Sequence, residues 1–396
     1  MEKINIYFLF SHPVQYNTPL LKYLNRYKNF NVEAIFCDKG ATEKRFDKDF
    51  NTDIKWDIPL FDGYLYKVMK NYAINPGIDT GFFGLMNWGI IQILWKIPKN
   101  SLVVINGWNF FTNILALLVG KLLGLKIALR GDCSMEAEKN KSKSIILLKK
   151  IILGKLLFNI VDYIFIIGKN SRYYFDFYNA NPSKYIFTPF SVDNDSFLEK
   201  KATISLSKNS LREELGLPKH GLLFLFSGKL IDIKKPLDLL LAYNKVGLFE
   251  HSLVFVGDGI LKEILLKKAS ELQLKNIIVT GFINQGNIHK YYAAADVFIL
   301  CSEKDQWGLS VNEAMLFELP LILSSGVGSA IDLVSENENG YVYQAGNIDE
   351  LSHKLKLLTA LDISELLKMG TKSKLIINEY SYEKIKINIE KKLLNK

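Results

Sequence analysis

The feature that most constrains this chain is an alternation, played out twice. Short runs apolar on both faces are separated by longer segments whose apolar residues recur at helical spacing. In the first pass the runs are INIYFLF (4–10), VEAIFC (32–37), LVVIN (102–106), KIALR (126–130), YIFIIG (163–168) and YIFTPF (185–190), with helical patterns such as 112–123 and 143–160 between them. A polar stretch over 191–221 follows, and then LLFLFSG, SLVFVGDG, NIIVTG, VFILCS and PLILSSG repeat the pattern. Strands that are apolar on both faces and alternate with helices are those of a parallel sheet covered on both sides. The fold expected is therefore α/β, with two Rossmann-like, doubly wound parallel-sheet domains facing a central cleft. The boundaries read from the sequence are 1–190 for the first domain, 191–207 for a linker and 208–378 for the second domain. A C-terminal helix over 379–396 is expected to pack back on the first. Ligands of such sheets bind outside the carboxyl ends of the strands, so the loops after each strand are where function is sought.

Composition excludes several classes. With 48% hydrophobic residues, 23% charged and only 10 prolines, the 396 residues can bury enough surface to offset their ordering entropy. The three cysteines, Cys37, Cys133 and Cys301, are far apart, with no CxxC pair and 5 histidines in all, so neither a disulfide framework nor a structural zinc site is expected. The opening MEKINIYFLFSHPVQY reads as a first buried strand, and FFTNILALLVGKLLGLKIAL (110–129) is interrupted by Lys121 and Lys126. The location expected is cytoplasmic, with peripheral attachment to the inner face of the plasma membrane as a possibility.

The charge is lopsided. Residues 1–200 carry 26 basic side chains against 18 acidic ones, and the remainder 24 against 23. A basic half calls for an anionic partner: nucleic acid, a phospholipid surface or a phosphorylated small molecule. No helix-turn-helix, RNP-type aromatic motif or zinc spacing supports nucleic acid. KNKSKSIILLKKIILGKLLF (139–158), which sets Lys139, Lys141, Lys143, Lys149, Lys150 and Lys155 among Ile and Leu, has the composition of an interfacial helix. A core helix with a solvated lysine face has the same composition.

Three loops of the second half carry chemistry. In FLFSGKLIDIKKP a strand ends at Gly228; Lys229 follows it, and Lys234 and Lys235 precede Pro236 and a helix. Lysines beside a helix N-terminus suit a diphosphate, although a solvated loop looks alike. VFVGDGILK offers Gly257 and Gly259 for close backbone approach, with Lys262 where a dinucleotide fingerprint would need its third glycine. CSEKDQWGLSVNEAMLFELP places Glu303 and Asp305 before a helix that begins near Gly308 and Leu309, with Glu313 one turn inside. That spacing offers a helix N-terminus for phosphate and carboxylates for hydroxyls. Solvent-facing or helix-capping acids are the plainer alternative. In the first half, His12 after the first strand, Trp108 in NGW, and Arg130 and Asp132 in RGDCS end three strands and are candidates for sugar or phosphate recognition. Asp132 as a helix N-cap is the competing account.

With these residues in view the chain resembles the family 4 glycosyltransferases of the GT-B fold. The carboxylate, seven residues, glutamate pattern falls on Asp305 and Glu313, where the family more often begins with glutamate, which leaves Glu303 as an alternative sugar contact. SGKLIDIKKP resembles the family's basic loop, with Lys229 where arginine is commoner. VGDG, GFINQGNIHKYYAAADVFILCS, SSGVG and PFSVDNDSF follow in the family's order. The resemblance implies a retaining transferase of the hexosyltransferase type that moves sugar from a nucleotide-diphosphate sugar donor to a glycan or lipid-linked acceptor, as in bacterial surface polysaccharide or glycolipid synthesis. It implies no metal and no other cofactor. Lys229, Lys234, Asp305 and Glu313 would be catalytic, and Gly228, Gly257, Gly259, Glu303, Gly308 and Leu309 would hold the donor. His12, Trp108, Arg130 and Asp132 would lie on the acceptor side. A sugar-nucleotide epimerase of the same fold is the alternative enzyme, and a nucleic-acid-binding protein the alternative without catalysis.

Overall fold

The computed structural model describes residues 3–39, 45–47, 52–54, 60–139 and 141–394. It divides into two units. The first takes in residues 1–43, 58–190 and 382–396, and the second 44–57 and 191–381.

Among the described residues up to 190 the strands are β1 (Ile4–Phe10), β2 (Phe30–Phe36), the short antiparallel pair β3 (Arg45–Asp47) and β4 (Thr52–Ile54), then β5 (Leu65–Val68), β6 (Leu102–Asn106), β7 (Lys126–Arg130), β8 (Tyr163–Ile166) and β9 (Tyr185–Phe187). All but the short pair form one parallel sheet in the order β5-β2-β1-β6-β7-β8-β9. Alternation along each strand splits its residues between two cores. Ile127 and Leu129 of β7 join the cluster containing Leu117, Leu153 and Phe158, whereas Ala128 joins the one containing Leu21, Phe165 and Ile186. Helices cover both faces, as a sheet with no polar side requires. The helix Tyr382–Leu394 belongs to the second of these cores through Tyr382, Ile385 and Ile389. Its Asn388 donates to the carbonyl of Phe187 at 2.8 Å, and Asn29 donates to its Glu390 at 2.6 Å.

The second unit repeats the plan with β10 (Leu223–Ser227), β11 (Ser252–Val256), β12 (Ile277–Gly281), β13 (Val297–Leu300), β14 (Leu321–Ser324) and β15 (Gly340–Tyr343), parallel throughout in the order β12-β11-β10-β13-β14-β15. Residues 191–207, expected as a linker, fold within this unit. Asp193 caps the helix Asn194–Ala202 by accepting from Ser196, and Phe197 packs edge-on to Phe317 at 6.4 Å. Each sheet reverses its strand order at one place, between β1 and β6 in the first and between β10 and β13 in the second. Loops leave such a switch point in opposite directions and open a crevice at the carboxyl edge.

Candidate active site

The switch point of the second unit decides which sequence candidates meet. Because β10 pairs with β13, the loop after Ser227 and the loop after Leu300 run side by side, although their residues are far apart in the chain. The amide of Glu303 donates to the carbonyl of Ile233 at 2.8 Å, zipping the two loops together. Two ion pairs then form across the seam. Lys234 Nζ contacts the Asp305 carboxylate, and Lys235 Nζ lies 2.9 Å from Glu303 Oε2. The Lys234–Asp305 pair is mostly enclosed, with side-chain exposures of 19% and 16%, while Glu303 is 61% exposed. The two acidic candidates are thus separated by partner and by burial. Lys235 takes a left-handed backbone (φ 49) at the start of the helix Pro236–Val246, where Pro236 supplies the fixed φ of a first helical turn.

Glycines set the walls. Gly257 has φ 154, and a Cβ there would lie 1.9 Å from the carbonyl oxygen of Gly228, so the loops after β10 and β11 touch through backbone alone. The amide of Leu230 donates to the carbonyl of Asp258 at 2.9 Å, and Lys262 pairs with Asp258 at 3.0 Å, a structural task for the lysine standing where a third glycine was sought. On the other side SSGVGS backs the acidic loop. The amide of Asp305 donates to Gly326 and that of Gly328 to Asp305, each at 2.9 Å, and a Cβ on Gly328 would lie 1.9 Å from the carbonyl oxygen of Gln306. The helix Leu309–Leu316 opens from Gly308, whose φ of 82 lets the chain turn sharply into it. Trp307 is buried and donates from Nε1 to Asn312 at 2.9 Å, which fixes the first turn.

Glu313 lies one turn inside that helix but not on the surface. It is 2% exposed, with Tyr292 Oη donating to Oε2 at 2.7 Å and Gln285 Nε2 to Oε1 at 3.3 Å. Burial outweighs these hydrogen bonds and pushes its carboxyl up to about 7. Sequence reasoning missed Tyr292 and Gln285. Both lie in the quoted stretch GFINQGNIHKYY, but nothing in their spacing marks them as holding a residue on another helix.

The candidates of the first unit divide. His12 Nδ1 shares a 3.0 Å hydrogen bond with Ser11 Oγ in the loop after β1. The Trp108 ring packs on Phe158, Tyr174 and Phe175 at 5.8 to 6.3 Å, so its indole serves the core cluster beneath the loop. Asp132 is exposed, and the turn Met135–Glu138 starts from Ser134, which removes the N-cap account of Asp132. Arg130 is buried on the opposite face of the sheet.

Comparison with known proteins fits this plan. The chain superposes over its full length on the crystal structure of Anabaena Alr3699/HepE in complex with UDP, covering 100% of both chains with a TM-score of 0.74 at 15% identity. The fold is therefore the two-domain GT-B fold. Residues 207–376, within the second unit, match the model of the family described as Glycosyl transferases group 1. An uncharacterized glycosyltransferase of Haemophilus influenzae is 33% identical over 138 residues, covering 34% of this chain and 38% of that protein. The sulfoquinovosyl transferase SQD2 of Arabidopsis thaliana is 31% identical over 130 residues, covering 32% and 25%. The chain thus spans well under half the length of these relatives.

Proposed function

We propose that the protein is a retaining glycosyltransferase that moves a hexosyl group from a nucleotide-diphosphate sugar to a glycan or lipid-linked acceptor in surface polysaccharide or glycolipid synthesis. The observation that carries this reading is the Lys234–Asp305 pair, set with Lys229 and Gly308 around the switch point of a group 1 glycosyltransferase domain. The UDP held by the Anabaena protein and the sulfoquinovosyl group named for the Arabidopsis relative support a donor of this class. In the reaction the bond from the anomeric carbon to the diphosphate oxygen breaks, the acceptor hydroxyl oxygen bonds to that carbon, and its proton passes to the leaving phosphate. Lys229 and Lys234 stabilise the negative charge that grows on the diphosphate. Asp305 holds Lys234 in place and faces the donor sugar, and Glu313 serves the ribose. Incubation with a panel of nucleotide-sugars and glycan acceptors, with the product's anomeric configuration read by NMR, tests the reading.

Since lysines supply the positive charge, transfer is expected to persist in excess EDTA. Complete loss on chelation, restored by magnesium or manganese, contradicts this.

The first unit is proposed to dock on an anionic membrane surface. Of the lysines in 139–158, Lys139 pairs with Glu136, and both Lys141 and Lys149 turn to the buried Glu138, at 2.9 and 2.6 Å. Lys143, Lys150 and Lys155 remain for a surface, fewer than the sequence suggested. The apolar side is larger than expected: Ile145, Leu147, Leu148, Ile151, Ile152 and Leu156 are exposed, and Trp88, Trp95, Leu118 and Leu122 are exposed on helices covering the same face of the sheet. Lysines near an anionic bilayer contribute about 1 kcal/mol each, and the aliphatic and indole groups add burial. Sedimentation with phosphatidylglycerol vesicles is expected to pellet the protein more than neutral vesicles do. Equal pelleting with both, or none, rules this out. Among the described residues no helix is long and apolar enough to cross a membrane.

A further inference from the structure

The carboxyl edge of the first sheet holds a cation for which the described residues supply no hydrogen-bonded counter-ion. Arg130 ends β7 and is 7% exposed. Ala128, two residues earlier, lies in the core cluster with Phe165, Ile186 and Tyr382, so alternation sets Arg130 on that same face. Its guanidinium sits 5.0 Å from the ring centroid of Phe190, and its Nε is buried without a hydrogen-bond partner. Thr188 follows Ile186 by two residues, and its amide donates to the carbonyl of Ile166 at 2.8 Å, which continues the strand and keeps the side chain on that face. It is 2% exposed, and its Oγ1 also lacks a partner. Burial lowers the Arg130 guanidinium to about 10, while Asp132 and Tyr382 pull it upward by charge, so it is still a cation at neutral pH.

A guanidinium N–H removed from water without a hydrogen-bond acceptor is costly, and stacking of the cation on one ring offsets only part of that cost. The planar fork of arginine matches the two oxygens of a carboxylate or phosphate. Thr188 precedes by two residues the Phe190 ring that the guanidinium covers, and its hydroxyl can donate to the same group. We propose that the first unit binds an oxyanion on Arg130 and Thr188, and that the acceptor of the transfer therefore carries a carboxylate or phosphate. The oxyanion site stands on the structure alone; its assignment to the acceptor rests on the function proposed above.

Calorimetry on the full chain tests this. UDP is first added to saturation, so that a diphosphate site in the second unit is filled. Inorganic phosphate and glucuronate are then titrated separately at constant ionic strength, with glucose as the neutral control. At least one anion is expected to bind saturably and glucose not to bind. Arg130→Gln should weaken that binding at least tenfold with circular dichroism and UDP affinity retained, and Thr188→Val should weaken it several-fold. Binding of phosphate alone assigns a phosphorylated acceptor, and of glucuronate alone a uronate. Absence of saturable binding by either anion, or equal binding by wild type and variant, overturns the site. Should Arg130→Gln not fold, Arg130→Lys and Thr188→Val carry the comparison, and unchanged affinity in both overturns it. Failure of UDP to bind while the anion binds sinks the nucleotide-sugar reading and leaves the oxyanion site standing.

Discussion

Replacing Lys234 by alanine is expected to lower kcat/KM by ten- to a hundredfold or more while the fold stays intact. A charge-assisted hydrogen bond to the departing diphosphate contributes roughly 1.5 to 3 kcal/mol. The structure adds a second reason. Lys234 is paired with Asp305, so its removal leaves a largely enclosed carboxylate without its counter-ion, next to the proposed diphosphate site. The reverse change should not mirror it: Asp305→Ala frees Lys234, and nucleotide affinity is expected to hold or rise while turnover falls. The double variant should therefore lose less than the two single losses combined. Strict additivity of the logarithms of kcat/KM, or a silent Lys234→Ala, removes this pair from the mechanism. Because Glu303 is exposed and pairs with Lys235 instead, Glu303→Ala is expected to be mild.

Glu313 yields the other large effect, on both stability and binding. Its carboxyl stands at about 7 in the folded protein against an ordinary value near 4.5. A raised folded value means that the native state holds more protons than the unfolded chain between those limits. Stability therefore declines as pH rises from about 4.5 to 7 and levels off above. The decline is on the order of 3 kcal/mol at the usual conversion of pKa to free energy. Glu313→Gln, which keeps the shape and removes the titration, should abolish this decline and unfold at a higher temperature than wild type at pH 8. If the ionised carboxylate accepts the ribose hydroxyls, the same variant should weaken UDP and UDP-sugar alike, and wild-type affinity should fall as pH drops below 7. Denaturation curves of both proteins at pH 5, 6, 7 and 8 check the first part. An identical pH profile in the two shows that the burial of Glu313 does not govern its ionisation.

Most interior strands were legible because both faces are apolar, and β1, β6 and β7 run over the residues whose pattern marked them. The edge strand β5 was not, since Leu65, Tyr66 and Lys67 are exposed and give no buried run, and in β15 the short GYVY opens on a glycine. In the site, each of Lys234, Asp305 and Glu313 stood out by its loop or helix. Their relations did not, because the contact of Lys234 with Asp305 depends on β10 lying next to β13, which local sequence does not encode. The burial of Glu313 depends on Tyr292 and Gln285 from a neighbouring segment. The lysine run at 139–158 misled in part, because Glu138, which directly precedes it, is buried and draws two of its lysines inward.

The measurement closest to the central claim is transfer itself, followed with a panel of nucleotide-diphosphate sugars and a glycan acceptor by mass spectrometry, in wild type and in Lys234→Ala. The account predicts a product heavier than the acceptor by one hexosyl residue, released nucleoside diphosphate in equal amount, retained anomeric configuration, and a rate in the variant at least tenfold lower. A wild-type protein that binds no nucleotide-sugar, or that interconverts the donor sugar without acceptor and forms no new glycosidic bond, contradicts it.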